Sequence, residues 1–249
     1  MRRAALFTLA LVLLLPLTAR ADASLAVAPP QIAIGALYDG LWLTVSGKVP
    51  AGADVVVRFT GAPADIHMKE KGKALGLLWM NMDALTFTGV PGVCLVQSTR
   101  PMAELGQAGA ELGLAGVAAG FGVESAHGDK RYLLPELVKL KEEEGLYRET
   151  AGKVVMGPEA DGMQSFTARL FAPSRLSPGD YRVEAFAVEH GAVAARAAAP
   201  VSAALVGAPA FLANLAFGHG AWYGVLASII AILGGLAIGL VFQGKGGAH

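Results

Sequence analysis

Cysteine is nearly absent: Cys94 is the single one in 249 residues. That excludes an intrachain disulfide and any zinc site built on several thiolates. Charge is sparse as well, at 16% Asp, Glu, Lys and Arg, and it stops altogether between Arg196 and Lys245. The formal charge is zero, with 20 basic and 20 acidic residues, which leaves no nucleic-acid footprint. Gly-x-Ser-x-Gly, His-Glu-x-x-His, Walker and dinucleotide-binding fingerprints are all missing. The chain therefore reads as a non-enzyme with no cofactor.

What fills the charge-free stretch is an apolar run from Ala221 to Phe242. As a helix rising about 1.5 Å per residue it reaches roughly 33 Å, enough for a hydrocarbon layer of about 30 Å. A transmembrane helix is expected at 221–243, with Trp222, Tyr223 and Lys245 at its two interfaces. Ala227, Ala231, Gly235 and Gly239 recur every fourth residue and so share one helix face. Such a small-residue ridge admits close approach of a second transmembrane helix, from another integral membrane protein or from a second copy. The competing reading is that Gly and Ala are simply common in lipid-embedded helices.

At the other end, Arg2 and Arg3 precede an apolar stretch, Ala4 to Ala19, and an Ala19-Arg20-Ala21 cleavage pattern. This is the form of a secretory signal peptide, 1–21, with Ala23 as an alternative cleavage point. Its removal takes Arg2, Arg3 and Arg20 and leaves 17 basic against 20 acidic residues. The expected layout is a protein crossing the membrane once, its N-terminal domain outside the cytoplasm and its tail, 244–249, cytoplasmic. Lys245, the only charge on that tail, agrees with the positive-inside rule.

The exported part, 22–206, reads as one domain, mainly β, with an immunoglobulin-like β-sandwich as the expected fold. Short alternating runs separated by Gly and Pro turns place strands at 41–46, 55–59, 66–71, 75–80, 84–88 and 93–98, then again from Gln164 to Phe171. Tyr181 follows the turn Ser177-Pro178-Gly179-Asp180, as in a tyrosine corner, and the turn Glu189-His190-Gly191 closes a hairpin that runs to Val206. Between these lies a helical insertion at about 103–150. Its second part, Lys130 to Glu149, carries Leu133, Leu137 and Leu140 on one face and mixed charge on the others. Residues 207–220 connect to the membrane as an interfacial helix bearing Phe211, Leu212, Leu215 and Phe217.

Three small groups offer chemistry. His67 and Met68, with Met80 and Met82, are the residue types that bind copper, although Met is also an ordinary core filler. Ser98, Thr99 and Arg100 together make a donor cluster suited to a small oxyanion. Cys94 sits in the apolar run Pro91 to Val96, where a buried structural thiol is expected rather than a nucleophile.

The segments Val55 to Ala62, Lys69 to Lys73, Gly76 to Asn81, Val90-Pro91-Gly92, Ser98 to Pro101, Gly145-Leu146-Tyr147, Pro178-Gly179-x-Tyr181 and Trp222-Tyr223-Gly224 together resemble an uncharacterised bacterial family of transmembrane proteins first described in alphaproteobacteria. The resemblance covers nearly the whole mature chain and implies a signal peptide, an exported domain and one C-terminal span. It places Cys94 where that pattern has an aromatic residue. It also implies a transporter partner, a sulfite-exporter-type permease, and hence a membrane-anchored accessory role. The alternative is a tethered module that binds copper or a small oxyanion.

Overall fold

The computed structural model describes residues 23–74, 78–125 and 130–243. It is mainly β, with one long apolar helix at its C-terminal end. Strands β1 (Ser24–Ala28), β3 (Leu41–Pro50), β11 (Met163–Ala172) and β10 (Val154–Ala160) form a four-stranded sheet in the order β1-β3-β11-β10. A six-stranded sheet runs β2 (Gln31–Ile34), β13 (Ala192–Leu205), β12 (Gly179–Glu189), β4 (Asp54–Gly61), β7 (Cys94–Ser98), β9 (Tyr147–Ala151). Their facing sides enclose the first core, in which Leu43, Val45, Phe166 and Leu170 meet Val55, Val57, Phe59, Val183 and Ala185.

The larger sheet is buried on its other face too. Val56, Cys94, Val96, Phe186 and Val188 point away from the first core into a second one. Uninterrupted apolar runs such as Val55-Val56-Val57 are what a strand covered on both sides requires, whereas a one-sided strand alternates. The cover comes from a 3-10 turn (Met102–Leu105), helices α1 (Gly106–Leu112), α2 (Leu114–Ala119) and α3 (Lys130–Glu143), and a three-stranded sheet of β5 (Pro63–Ala74), β6 (Leu78–Pro91) and β8 (Gly122–Ser125). Leu105, Leu112, Leu114, Phe87 and Leu137 are their main contributions to the second core. The helical stretch is thus a third layer of the domain.

Three expectations change in detail. The helix starting at Lys130 ends at Glu143, not Glu149, and Tyr147–Ala151 is a strand parallel to β7. The stop is a Schellman arrangement: Gly145, at φ 74°, donates to Glu142 O at 2.9 Å, and Leu146 donates to Lys141 O at 2.9 Å. Leu133 and Leu137 pack inward with Leu134 and Val138, while Leu140 is exposed. The runs read as separate strands at 66–71, 75–80 and 84–88 belong to one long antiparallel hairpin, β5–β6, with residues 75–77 outside the described ones.

The closing hairpin forms as read. Its turn residues His190 and Gly191 both have positive φ, 53° and 80°, the requirement of a type I′ turn. Tyr181 Oη donates to Ser177 O at 2.6 Å, the bond a tyrosine corner makes, and its ring stacks on Phe59 at 5.1 Å. The chain then passes through α4 (Ala208–Gly218) into α5 (Gly220–Gln243).

Candidate functional site

Helix α5 is the element that decides where the protein works. Its stretch Gly220–Leu240 is long and apolar enough to cross a bilayer, and none of it is buried against the rest of the chain. Exposed Ile229, Ile230, Ile232, Leu233, Leu236, Ile238 and Leu240 surround it, a surface that only lipid or other helices can cover. Trp222 and Tyr223 lie in its first turn, 68% and 44% exposed, at headgroup level for a helix that spans from Gly220. The ridge residues Ala227, Ala231, Gly235 and Gly239 all fall within the helix, and a Cβ added at Gly235 or Gly239 would meet nothing within 4 Å. Lys245 and the tail lie outside the described residues, as does the signal peptide reading at 1–21.

Residues 23–244 match the family model described as "Putative transmembrane protein (Alph_Pro_TM)". The chain belongs to this family. No curated protein and no solved structure matches it. As a member of the Alph_Pro_TM family with one apolar C-terminal helix, it is a single-pass, membrane-anchored protein.

The chemical groups of this family member sit as follows. Arg100 is engaged by Asp54, Nε donating to Oδ1 at 2.9 Å and Nη2 to Oδ2, and Thr99 Oγ1 donates to the same Oδ1 at 2.9 Å. Ser98 Oγ donates to the carbonyl of Arg100 at 2.5 Å. The Arg100 bond, opposed by partial burial and aided by Thr99, holds the Asp54 carboxyl below its ordinary range. With its fork already on a carboxylate, Arg100 joins the ends of β4 and β7 and is not a vacant oxyanion receptor.

The hairpin register separates the copper-type residues. His67 pairs with Thr86, and its Nδ1 hydrogen-bonds Thr86 Oγ1 at 3.1 Å. Met68, the next residue, turns to the opposite face and packs on the second core. Met82 and Met80 lie four and six residues along β6 from Thr86, roughly 14 and 20 Å from the His67 pairing position at about 3.4 Å per residue. The side chains of Met80 and Met82 lie outside the described residues. Among the described residues no three His, Cys, Asp or Glu converge.

Cys94 is fully buried, and burial pushes its thiol up to about 12. In the folded protein it should stay unmodified by Ellman's reagent at pH 8, and one thiol per chain should react after denaturation. Rapid labelling of the native protein would show the second core to be open.

One group had no signal in the sequence. Glu184, 4% exposed, accepts from Arg58 Nη2 at 2.8 Å and also pairs with Arg196. Both guanidinium groups lie over the Phe186 ring, at 5.0 and 5.6 Å from its centroid. These residues stand on three adjacent strands, β4, β12 and β13, and only the register brings them together. Burial alone would raise the Glu184 carboxyl, but the bonds and charges of the two arginines outweigh it and hold the carboxyl below the ordinary 4.5.

Proposed function

We propose that this protein is a non-enzymatic accessory protein of a bacterial inner membrane, its β domain periplasmic and its tail cytoplasmic. Its anchor associates laterally with an integral membrane partner, for which a sulfite-exporter-type permease is the transporter class the family resemblance implies. The strand orders support an immunoglobulin-like reading of the domain: β1-β3-β11-β10 corresponds to A-B-E-D, and β13-β12-β4 to G-F-C. That architecture suits recognition more than catalysis. Of the side chains that offered chemistry in the sequence, Arg100, His67 and Cys94 are engaged in an ion pair, a hydrogen bond and core packing.

The observation that carries the proposal is the open ridge on α5, where Gly235 and Gly239 lack a Cβ and nothing of this chain lies within 4 Å of where one would be, so another helix backbone has room to approach closely. Gly235→Leu together with Gly239→Leu fills that room and keeps the helix apolar. The double variant should insert normally and lose its membrane partner in co-purification from mild detergent. An unchanged partner profile, or no membrane partner for the wild type, would reduce α5 to a plain anchor.

A further inference from the structure

The two facing sheets differ in width, six strands against four, and the mismatch opens a cleft. Strand β9 is the edge of the larger sheet, beyond β7. Its residues alternate: Tyr147 fills the second core and Glu149 caps the amide of Leu114, while Arg148 and Thr150 face the other way, toward the first-core side. There the smaller sheet gives out, because β10 pairs with β11 only as far as Ala168 and leaves Arg169 to Ala172 without a neighbour on that edge. The chain crosses between sheets at Gly152, φ 69°, and brings Lys153 and Val155 to the same opening. The resulting cleft has a volume of about 580 Å³, within the range of small-molecule sites.

Its lining is chemically one-sided. Arg148, Lys153 and Arg169 all contribute, no Asp or Glu does, and none of the three has a carboxylate within 4.0 Å among the described residues. In a chain whose formal charge is zero this is a concentration of unpaired positive charge. Arg169 is held in place: its guanidinium lies over the Trp42 ring at 5.1 Å, and Trp42 in turn contacts Phe171 at 5.1 Å. A guanidinium held over an indole, with no carboxylate on it, has donors to offer a planar anion. Gln97 braces the site: its Nε2 donates to the Arg169 carbonyl at 2.8 Å.

We propose that this cleft binds a small organic anion with a flat apolar body, its carboxylate-type group on Arg148 and Arg169 and its body against Trp42 and Phe171. The site lies wholly in the outer domain, so it stands or falls independently of the α5 partner. Lys153 adds long-range attraction, and Thr150 and Thr167 offer hydroxyls at the rim.

The test is calorimetric titration of the full chain in phosphatidylcholine nanodiscs with three probes. Benzoate should bind saturably. Acetate, which lacks the ring, and benzamide, which lacks the charge, should each bind at least about tenfold more weakly. Arg148→Gln with Arg169→Gln, both at exposed positions, should cost benzoate about tenfold or more while leaving the melting temperature within a few degrees. Trp42→Ala should weaken benzoate and spare acetate. Equal binding of benzoate and benzamide, or an unchanged double variant, overturns the proposal. Repeating the titration with phosphatidylglycerol in the discs separates two sources of the same chemistry: unchanged benzoate affinity supports a soluble ligand, and competition by the lipid overturns that assignment in favour of an anionic headgroup.

Discussion

Glu184→Ala lowers the melting temperature of the β domain by roughly 6–12 °C. The carboxylate is almost fully buried, and removing it leaves Arg58, with a side chain only 19% exposed, facing Arg196 across Phe186 with no counter-charge. Breaking a buried pair from one side costs about 3–5 kcal/mol, and the residual exposure of Arg58 puts this case near 3. For a domain of this size each kcal/mol moves the midpoint by about 2–4 °C. Glu184→Gln keeps an acceptor and should fall between the two. The pH dependence follows from the sign of the shift. Since the folded carboxyl lies below its ordinary 4.5, the pair stabilises fully above that value, and its contribution is lost as pH falls through the folded value. Wild type and Glu184→Gln should therefore converge in stability as a calorimetric series is taken to acid. Parallel curves down to the acid limit would mean that the Glu184 carboxyl titrates alike in the folded and unfolded chain, and that the two arginines do not hold it below its ordinary value.

A second large effect is expected in the anchor. Ile230→Arg with Leu233→Arg places two guanidinium groups near the middle of Gly220–Gln243, each costing about 2.5–3.5 kcal/mol at a helix centre. Together they should abolish stable insertion. The wild type should float with lipid vesicles on a density gradient after alkaline extraction, and the double variant should remain at the bottom. The β domain is unaffected, because α5 is not buried against it, and its circular dichroism should be unchanged. Flotation of the variant together with the wild type would sink the reading of α5 as the anchor.

Local pattern carried some of these elements into view and left others out. The anchor, the Tyr181 turn and the β12–β13 hairpin were readable because each rests on neighbours in sequence: an unbroken apolar run, a Pro-Gly turn, strict alternation. The double burial of the six-stranded sheet was written in Val55-Val56-Val57, but such a run also fits an ordinary inner strand. The helix read from Lys130 to Glu149 overruns its stop at Gly145 and so takes in Tyr147 to Glu149, the first residues of a strand. The Glu184 cluster and the Arg148–Arg169 cleft have no local trace. Each depends on strand order, and strand order is set by which faces find cover, not by any one segment. Conversely, Ser98-Thr99-Arg100 had the look of a receptor until Asp54, 46 residues away, took the arginine.

The connectors between domain and membrane are very short. Only Val206 and Gly207 separate β13 from α4, and His219 alone separates α4 from α5. An 11-residue helix adds about 16 Å, so the domain can never drift more than a few nanometres from the lipid surface. Any partner in the same bilayer is then met as a tethered neighbour, at an effective concentration of about millimolar for a leash this short. Contacts between the β domain and that neighbour can be individually feeble and still be occupied most of the time.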